Sequence, residues 1–157
     1  VDADMYFLKK PKFLINNFIK NKKKILFTRH DFNDDQMFKE NIIHWGYAEN
    51  IEDYATWLWR SDIIPVTSNQ EFFGASVMEA VYCNTWPILP NRLTYPELIP
   101  SELHHNHIYK NEKDLFNKIR WAIDNIDKIR KSKIDKIAKK YDWNKMSNIY
   151  DQVISTI

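Results

Sequence analysis

The residues best placed to do chemistry lie in one short stretch, from Ser68 to Cys83. Ser68-Asn69-Gln70 is polar and follows an apolar run, and the segment from Gly74 to Cys83 has helical spacing. A loop that leaves a strand and enters a helix offers the helix's unpaired N–H groups and the positive end of its dipole, a combination suited to phosphate. Gly74 at that turn lets backbone approach a ligand closely; equally, it can serve only to relieve a tight strand-to-helix turn. Glu79 is the one charged side chain between Ala75 and Cys83, so most of this helix is expected to be buried. Ser76, Glu79 and Cys83, at i, i+3 and i+7, form a narrow polar or small stripe. Glu79 stands roughly 7.5 Å along the axis from Gly74 at 1.5 Å per residue. That reach suits a ligand whose phosphate rests on the helix start while its ribose diol meets the carboxylate. The competing explanation is a buried glutamate paired with Arg or Lys, because a buried charge is expensive without a partner.

Such a site needs a scaffold, and the hydrophobic pattern supplies alternating helices and short strands. Asp4 to Lys20 reads as a helix broken or kinked at Pro11. Lys24-Ile25-Leu26-Phe27-Thr28 and Ile42-Ile43-His44-Trp45-Gly46-Tyr47 read as strands. Glu49 to Arg60 reads as a helix capped by Asn50, with Ile51, Tyr54, Ala55 and Leu58 on one face. Asp62-Ile63-Ile64-Pro65-Val66-Thr67 is a third strand, although Pro65 lacks a ladder donor. Trp86 to Pro90 is a further strand, Tyr95 to Ile99 a helical turn, and His107-Ile108-Tyr109 an edge strand. From Glu112 onward the pattern is helical, and Asp142 caps a last helix whose apolar positions are Met146, Ile149, Tyr150, Val153 and Ile154. Strand and helix in alternation predict an α/β fold, a Rossmann-like parallel sheet covered by helices on both faces. In such sheets ligands bind beyond the carboxyl ends of the strands, where the Ser68–Phe73 loop would lie. The sequence shows no repeat, no linker and no second domain, so residues 1–157 read as one domain. Because the chain opens in a helix, it is expected to be a fragment lacking an earlier strand.

Composition narrows the chemistry further. The 157 residues include only two glycines, Gly46 and Gly74, where average usage gives about eleven. Neither a Walker loop nor the G-x-G-x-x-G fingerprint can be written with these two. Aromatic residues make up 15% of the chain, which excludes a disordered one. A single cysteine, Cys83, excludes an internal disulfide framework, and it reads as inert packing. No apolar run reaches membrane-spanning length and no signal pattern opens the chain, so a cytoplasmic location is expected. The net charge of +2 decides nothing. Two basic clusters, Lys20 to Lys24 and Lys128 to Lys140, read as solvated helix faces and leave room for a weak preference for polyanions such as tRNA.

Glu71-Phe72-Phe73-Gly74-Ala75-Ser76-Val77-Met78-Glu79-Ala80 resembles the E-x7-E motif of retaining family-4 (group 1) glycosyltransferases of the GT-B fold. Three segments resemble, more narrowly, the tRNA-queuosine mannosyltransferase group, which includes the glycosyltransferase-like domain-containing proteins. They are His44-Trp45-Gly46-Tyr47, Asn69-Gln70-Glu71-Phe72-Phe73-Gly74, and Pro90-Asn91-Arg92-Leu93-Thr94-Tyr95-Pro96-Glu97-Leu98. The resemblance implies the donor half of a transferase that moves a hexose, mannose from GDP-mannose, to an acceptor, queuosine in tRNA. It implies metal-independent chemistry with no cofactor beyond the nucleotide sugar. Glu71 would contact hydroxyls of the donor sugar and act as the catalytic residue. Phe72, Phe73, Gly74, Ala75 and Ser76 would hold sugar and diphosphate, Glu79 the ribose, and Tyr47 and Ala48 the base. Asn91, Arg92, Tyr95 and Glu97 would line the same cleft, with Arg92 facing phosphate. Many relatives carry Gly-Gly before Pro-Glu where this chain has Thr94-Tyr95. The basic pair that neutralises the diphosphate and the acceptor-binding half would lie outside the chain, leaving this piece inactive alone.

Two other readings stay open: a non-catalytic nucleotide-binding or interaction module, and a GT-B-type sugar-nucleotide epimerase. An interaction module would have no reason to bury both Glu71 and Glu79. Asp2-Ala3-Asp4 spells a D-x-D metal motif but reads as an acidic helix start. His104, His105 and His107 read as exposed loop histidines, since no Cys or spaced carboxylate completes a tetrahedral metal set.

Overall fold

The computed structural model describes residues 48–156. The expected helix at Asp4–Lys20, the strands at Lys24–Thr28 and Ile42–Tyr47, the D-x-D triplet, Gly46 and Tyr47 lie outside the described residues. The first described element is α1 (Ile51–Arg60), capped as expected by Asn50, whose side chain accepts from the Asp53 N–H. Then follow β1 (Ile63–Pro65), α2 (Ala75–Tyr82), β2 (Trp86–Pro90), the short α3 (Tyr95–Leu98) and α4 (His104–His107), and β3 (Ile108–Tyr109). Helices α5 (Glu112–Asp124), α6 (Ile126–Arg130), α7 (Asp135–Ala138) and α8 (Trp143–Ile154) complete the order.

The three strands form a parallel sheet in the order β1-β2-β3. Successive side chains on a strand face opposite ways, and both faces are covered. On one side Ile64, Val66, Leu89 and Ile108 pack with Leu58 of α1, Val77, Met78 and Val81 of α2, Leu98 of α3 and Ala138 of α7. On the other, Ile63, Trp86, Ile88 and Tyr109 pack with Leu115, Ile119 and Ile123 of α5 and Ile129 of α6. This is the expected Rossmann-like α/β arrangement. Pro65 costs no bond to β2. The Val66 N–H reaches the Ile88 carbonyl and the Asp62 carbonyl accepts from Trp86, each at 2.9 Å. Even-numbered residues therefore pair with β2, and the missing N–H of Pro65 faces the other way.

Several boundaries move. The helical region after Glu112 divides into four helices and one 3-10 turn, the last helix being the one expected after Asp142. Ile51 is exposed, so the packed face of α1 is narrower than its spacing suggests. Asp142 caps α8 through the Asn144 N–H at 3.0 Å, as expected, but Ile149, Tyr150, Val153 and Ile154 on that helix are exposed. Asp62, at the head of β1, takes a bidentate pair from Arg130 on α6, with both bonds at 2.7 Å. No helix among the described residues is long and apolar enough to cross a membrane.

Candidate functional site

The loop from Ser68 to Gly74 leaves the carboxyl end of β1 and enters α2, the place where a parallel sheet presents ligands. Gly74 is the N-cap of α2, at φ 83 and ψ 39. That is left-handed backbone, open to glycine and costly for a residue with a Cβ. The packing adds a second reason. A Cβ on Gly74 would lie 2.7 Å from Leu98 Cδ1 and 4.0 Å from Glu71 Cγ. Gly74 thus lets loop, α2 and α3 close on one another, which joins the two explanations its position allowed. No side chain caps α2, so its first-turn N–H groups, on Ala75, Ser76 and Val77, are open to an acceptor from outside the helix. The Met78 N–H bonds the Gly74 carbonyl at 3.0 Å and begins the helical ladder.

Glu71 is half-buried and its Oε1 accepts from the N–H of Phe72 at 3.0 Å. Phe72 itself is 96% exposed. Phe73 is exposed on one side and meets the Tyr141 ring edge-on at 5.2 Å. Ala75 is exposed and Ser76 half-buried beside this loop.

Glu79 corrects the expectation of a buried carboxylate. Only Val77, Met78, Ala80 and Val81 of α2 are buried; Ala75, Glu79 and Tyr82 lie exposed, one turn apart along one face. The helix lacks charges because its open face carries alanine and tyrosine, not because it is enclosed. Nor is the partner of Glu79 a cation. The Tyr54 hydroxyl, from α1, donates to Glu79 Oε2 at 2.7 Å. Burial and then this carboxylate push the Tyr54 phenol well above its ordinary value, so it remains a donor throughout the physiological range. One carboxylate oxygen is anchored and the other is left for a ligand, an arrangement suited to a vicinal diol. Tyr54 thus joins the candidate site, whereas sequence reasoning placed it only on a packing face. The signal missed was a hydroxyl on an otherwise apolar stripe. With Glu79 exposed, burial of both glutamates no longer argues against an interaction module.

Arg92 follows β2 and reaches back to the loop. Its Nε donates to the Ser68 carbonyl at 3.0 Å, and its Nη2 to the Thr67 and Ser68 carbonyls at 2.6 and 2.7 Å. That leaves its Nη1 edge for an anion. Tyr95, fully buried, shares a hydrogen bond with the buried Ser68 hydroxyl at 2.9 Å. Its phenol is raised by burial, an effect the Ser68 bond and Arg92 oppose and Glu71 reinforces. Glu71, Arg92, Ser68 and Tyr95 are thus one electrostatic neighbourhood, with Gly74 against the Glu71 side chain. Glu97 and Asn91 are exposed nearby in sequence. Ala48 is half-buried ahead of the Asn50 cap, while its expected companion Tyr47 lies outside the described residues.

The other candidates sort differently. Cys83, half-buried at the end of α2, has its thiol pushed up by burial and then by Glu79, which keeps it a poor nucleophile. The histidines are not a set of loop residues. His105 is exposed, but the ring of His104 donates to the carbonyls of Pro96 and Ile99 at 2.9 and 2.8 Å. His107 is fully buried, donates Nδ1–H to the Pro87 carbonyl at 2.8 Å and stacks on Trp86 at 4.1 Å. Burial lowers its imidazole to about 4. Among the described residues no three His, Cys, Asp or Glu side chains converge as a metal site would require.

The chain is similar to a protein of Drosophila melanogaster named tRNA-queuosine alpha-mannosyltransferase, 38% identical over 76 residues. The match covers 48% of this chain and 20% of that protein, so the chain spans a small part of its relative's length. No solved structure matches. The family described as Glycosyl transferases group 1 matches residues 33–141, more than half of the chain, and takes in β1, the loop, α2, β2 and β3. The chain belongs to that family of glycosyltransferases.

Proposed function

We propose that residues Ser68 to Glu79 bind the nucleoside-diphosphate sugar of a retaining hexosyl transfer. The observation that carries this reading is the pairing of an open helix start at Gly74 with a carboxylate, Glu79, held one turn further on by Tyr54. Diphosphate charge would meet the first N–H groups of α2 and the positive end of its dipole. Those groups stabilise charge that grows on the leaving diphosphate as the sugar departs. Glu79 would take the ribose diol through its free oxygen. Glu71 would orient the donor sugar's hydroxyls from the loop, Phe72 to Ser76 would enclose sugar and diphosphate, and Tyr47 and Ala48 would border the base. The similarity to a protein named tRNA-queuosine alpha-mannosyltransferase supports mannose as the sugar and a queuosine nucleoside of tRNA as the acceptor; the donor in this reading is GDP-mannose. In this reading the chain is the donor-binding part of a GT-B enzyme and the acceptor is held by another part.

Calorimetric titration tests it. GDP and GDP-mannose should bind more tightly than UDP and UDP-glucose, and Glu79→Ala should weaken all four. Absence of nucleotide binding at millimolar concentration would remove the donor-site reading. Nucleotide binding by a full-length protein that transfers no sugar would select the non-catalytic module.

A further inference from the structure

The loop from Ser68 to Gly74 is gripped at both ends by the same neighbouring segment. At its start three consecutive carbonyls follow β1, and two side chains from elsewhere in the fold, Tyr109 and Arg92, donate to them. The Tyr109 hydroxyl, on β3, donates to the Val66 carbonyl at 2.9 Å. The Arg92 fork takes the Thr67 and Ser68 carbonyls, at 2.6 to 3.0 Å. The Tyr95 and Ser68 hydroxyls meet at 2.9 Å with both residues fully buried. At the loop's far end, Leu98 occupies the space beside Gly74 that a Cβ would need. Tyr95 and Leu98 lie one turn apart on α3, so a single turn of helix touches both ends of the loop.

The backbone that delivers Arg92 is itself unusual. The Arg92 N–H bonds the Pro90 carbonyl two residues back at 2.9 Å, and Leu93 follows at φ 54. Left-handed leucine is costly and persists where surrounding contacts impose it. Here the contacts are those of the Arg92 fork and the buried Tyr95. There is an electrostatic reason for the arrangement as well. Uncovered carbonyl oxygens next to an anion site would repel the anion, and a guanidinium bonded to them reverses the sign of the local field.

We propose that Arg92, with Tyr95 and Tyr109, is a positioning residue for the donor loop. The brace holds the carbonyls of Val66, Thr67 and Ser68 toward β2 and β3, so that the start of α2 is presented in one conformation before any ligand arrives. Preorganisation of this kind improves affinity by removing the ordering cost of binding. The proposal rests on the donor-site reading, and its test must separate the two.

The composition provides the means. The chain has two glycines, Gly46 and Gly74, so selective 15N-glycine labelling yields two amide signals, which Gly46→Ala assigns. Arg92→Gln should displace or broaden the Gly74 signal and weaken GDP-mannose about tenfold, the equivalent of 1.4 kcal/mol. Arg92→Lys keeps the charge but not the fork, and should restore part of both effects. Tyr95→Phe, which removes only the hydroxyl bond to Ser68, should move Gly74 less. Because Arg92 is exposed and Lys is a mild change, thermal melts should show all three variants folded. A wild-type Gly74 signal together with wild-type affinity in Arg92→Gln would overturn the brace. A Gly74 signal that Arg92→Gln moves but saturating GDP-mannose does not would sustain the brace and overturn the donor site.

Discussion

Replacing Gly74 by alanine adds one carbon, and the structure states what that carbon meets. At φ 83 the backbone is left-handed, which costs a residue with a Cβ about 1–2 kcal/mol. The new Cβ would also lie 2.7 Å from Leu98 Cδ1. Leu98 is 3% exposed and hemmed in by the core, so it cannot simply turn away. Overpacking of this kind costs about 1–3 kcal/mol. Together the two effects predict a loss of about 2–5 kcal/mol, out of a typical total near 5–15 kcal/mol. The two contributions can be separated. Leu98→Val shortens the clashing side chain at a cost of about 0.8 kcal/mol. In that background Gly74→Ala should lose only the backbone part, about 1–2 kcal/mol. Denaturant unfolding of the wild type, both single variants and the double variant closes the cycle. Zero coupling would refute the close approach of α3 to Gly74. A neutral Gly74→Ala would refute the left-handed cap as well.

Two further predictions follow from buried or anchored side chains. Tyr54→Phe removes the 2.7 Å bond to Glu79; it should cost about 0.5–1.5 kcal/mol in stability and weaken GDP several-fold by freeing the carboxylate to turn. Unchanged GDP affinity would mean that Tyr54 does not orient Glu79. The pH dependence centres on His107, whose imidazole is lowered to about 4 by burial, against 6.5 in the ordinary state. As pH falls below 6.5 the unfolded chain binds the proton first. The stability His107 contributes is therefore complete above 6.5 and lost progressively toward pH 4, by at most roughly 1.4 kcal/mol per pH unit. Thermal unfolding of the wild type and His107→Gln between pH 4 and 7 should show a flatter profile for the variant. Parallel profiles would contradict the neutral buried histidine.

Local patterns made the scaffold legible. Trp86 to Pro90 is an uninterrupted apolar run, and a strand buried on both faces reads that way. Asn50 and Asp142 are caps because their side chains satisfy a nearby N–H, a rule confined to a few residues. Gly74 and the polar run Ser68-Asn69-Gln70 located the loop for the same reason. What the sequence hid depends on approach between distant segments. Tyr54 and Glu79 meet from separate helices, and nothing in either neighbourhood announces the pairing. Arg92 looked like a free cation for phosphate, whereas most of its donors serve the loop's own carbonyls. His107 was read as exposed along with His104 and His105, but the end of α4, stacked on Trp86, takes it inside. The burial expected of Glu79 failed because a helix poor in charge need not be enclosed on all sides.

The central claim is that Glu79 holds the ribose diol of a nucleotide whose phosphates rest at Gly74. The most direct test compares GDP with its 2′,3′-dideoxy analogue on the wild type and on Glu79→Ala, by calorimetry. Loss of a charge-assisted contact of about 1.5–3 kcal/mol predicts that the wild type binds the analogue roughly ten- to a hundredfold more weakly than GDP. The Glu79→Ala variant should bind the two alike, with an affinity close to that of the wild type for the analogue. An equal preference for GDP in both proteins would show that the diol is recognised elsewhere and would contradict the account.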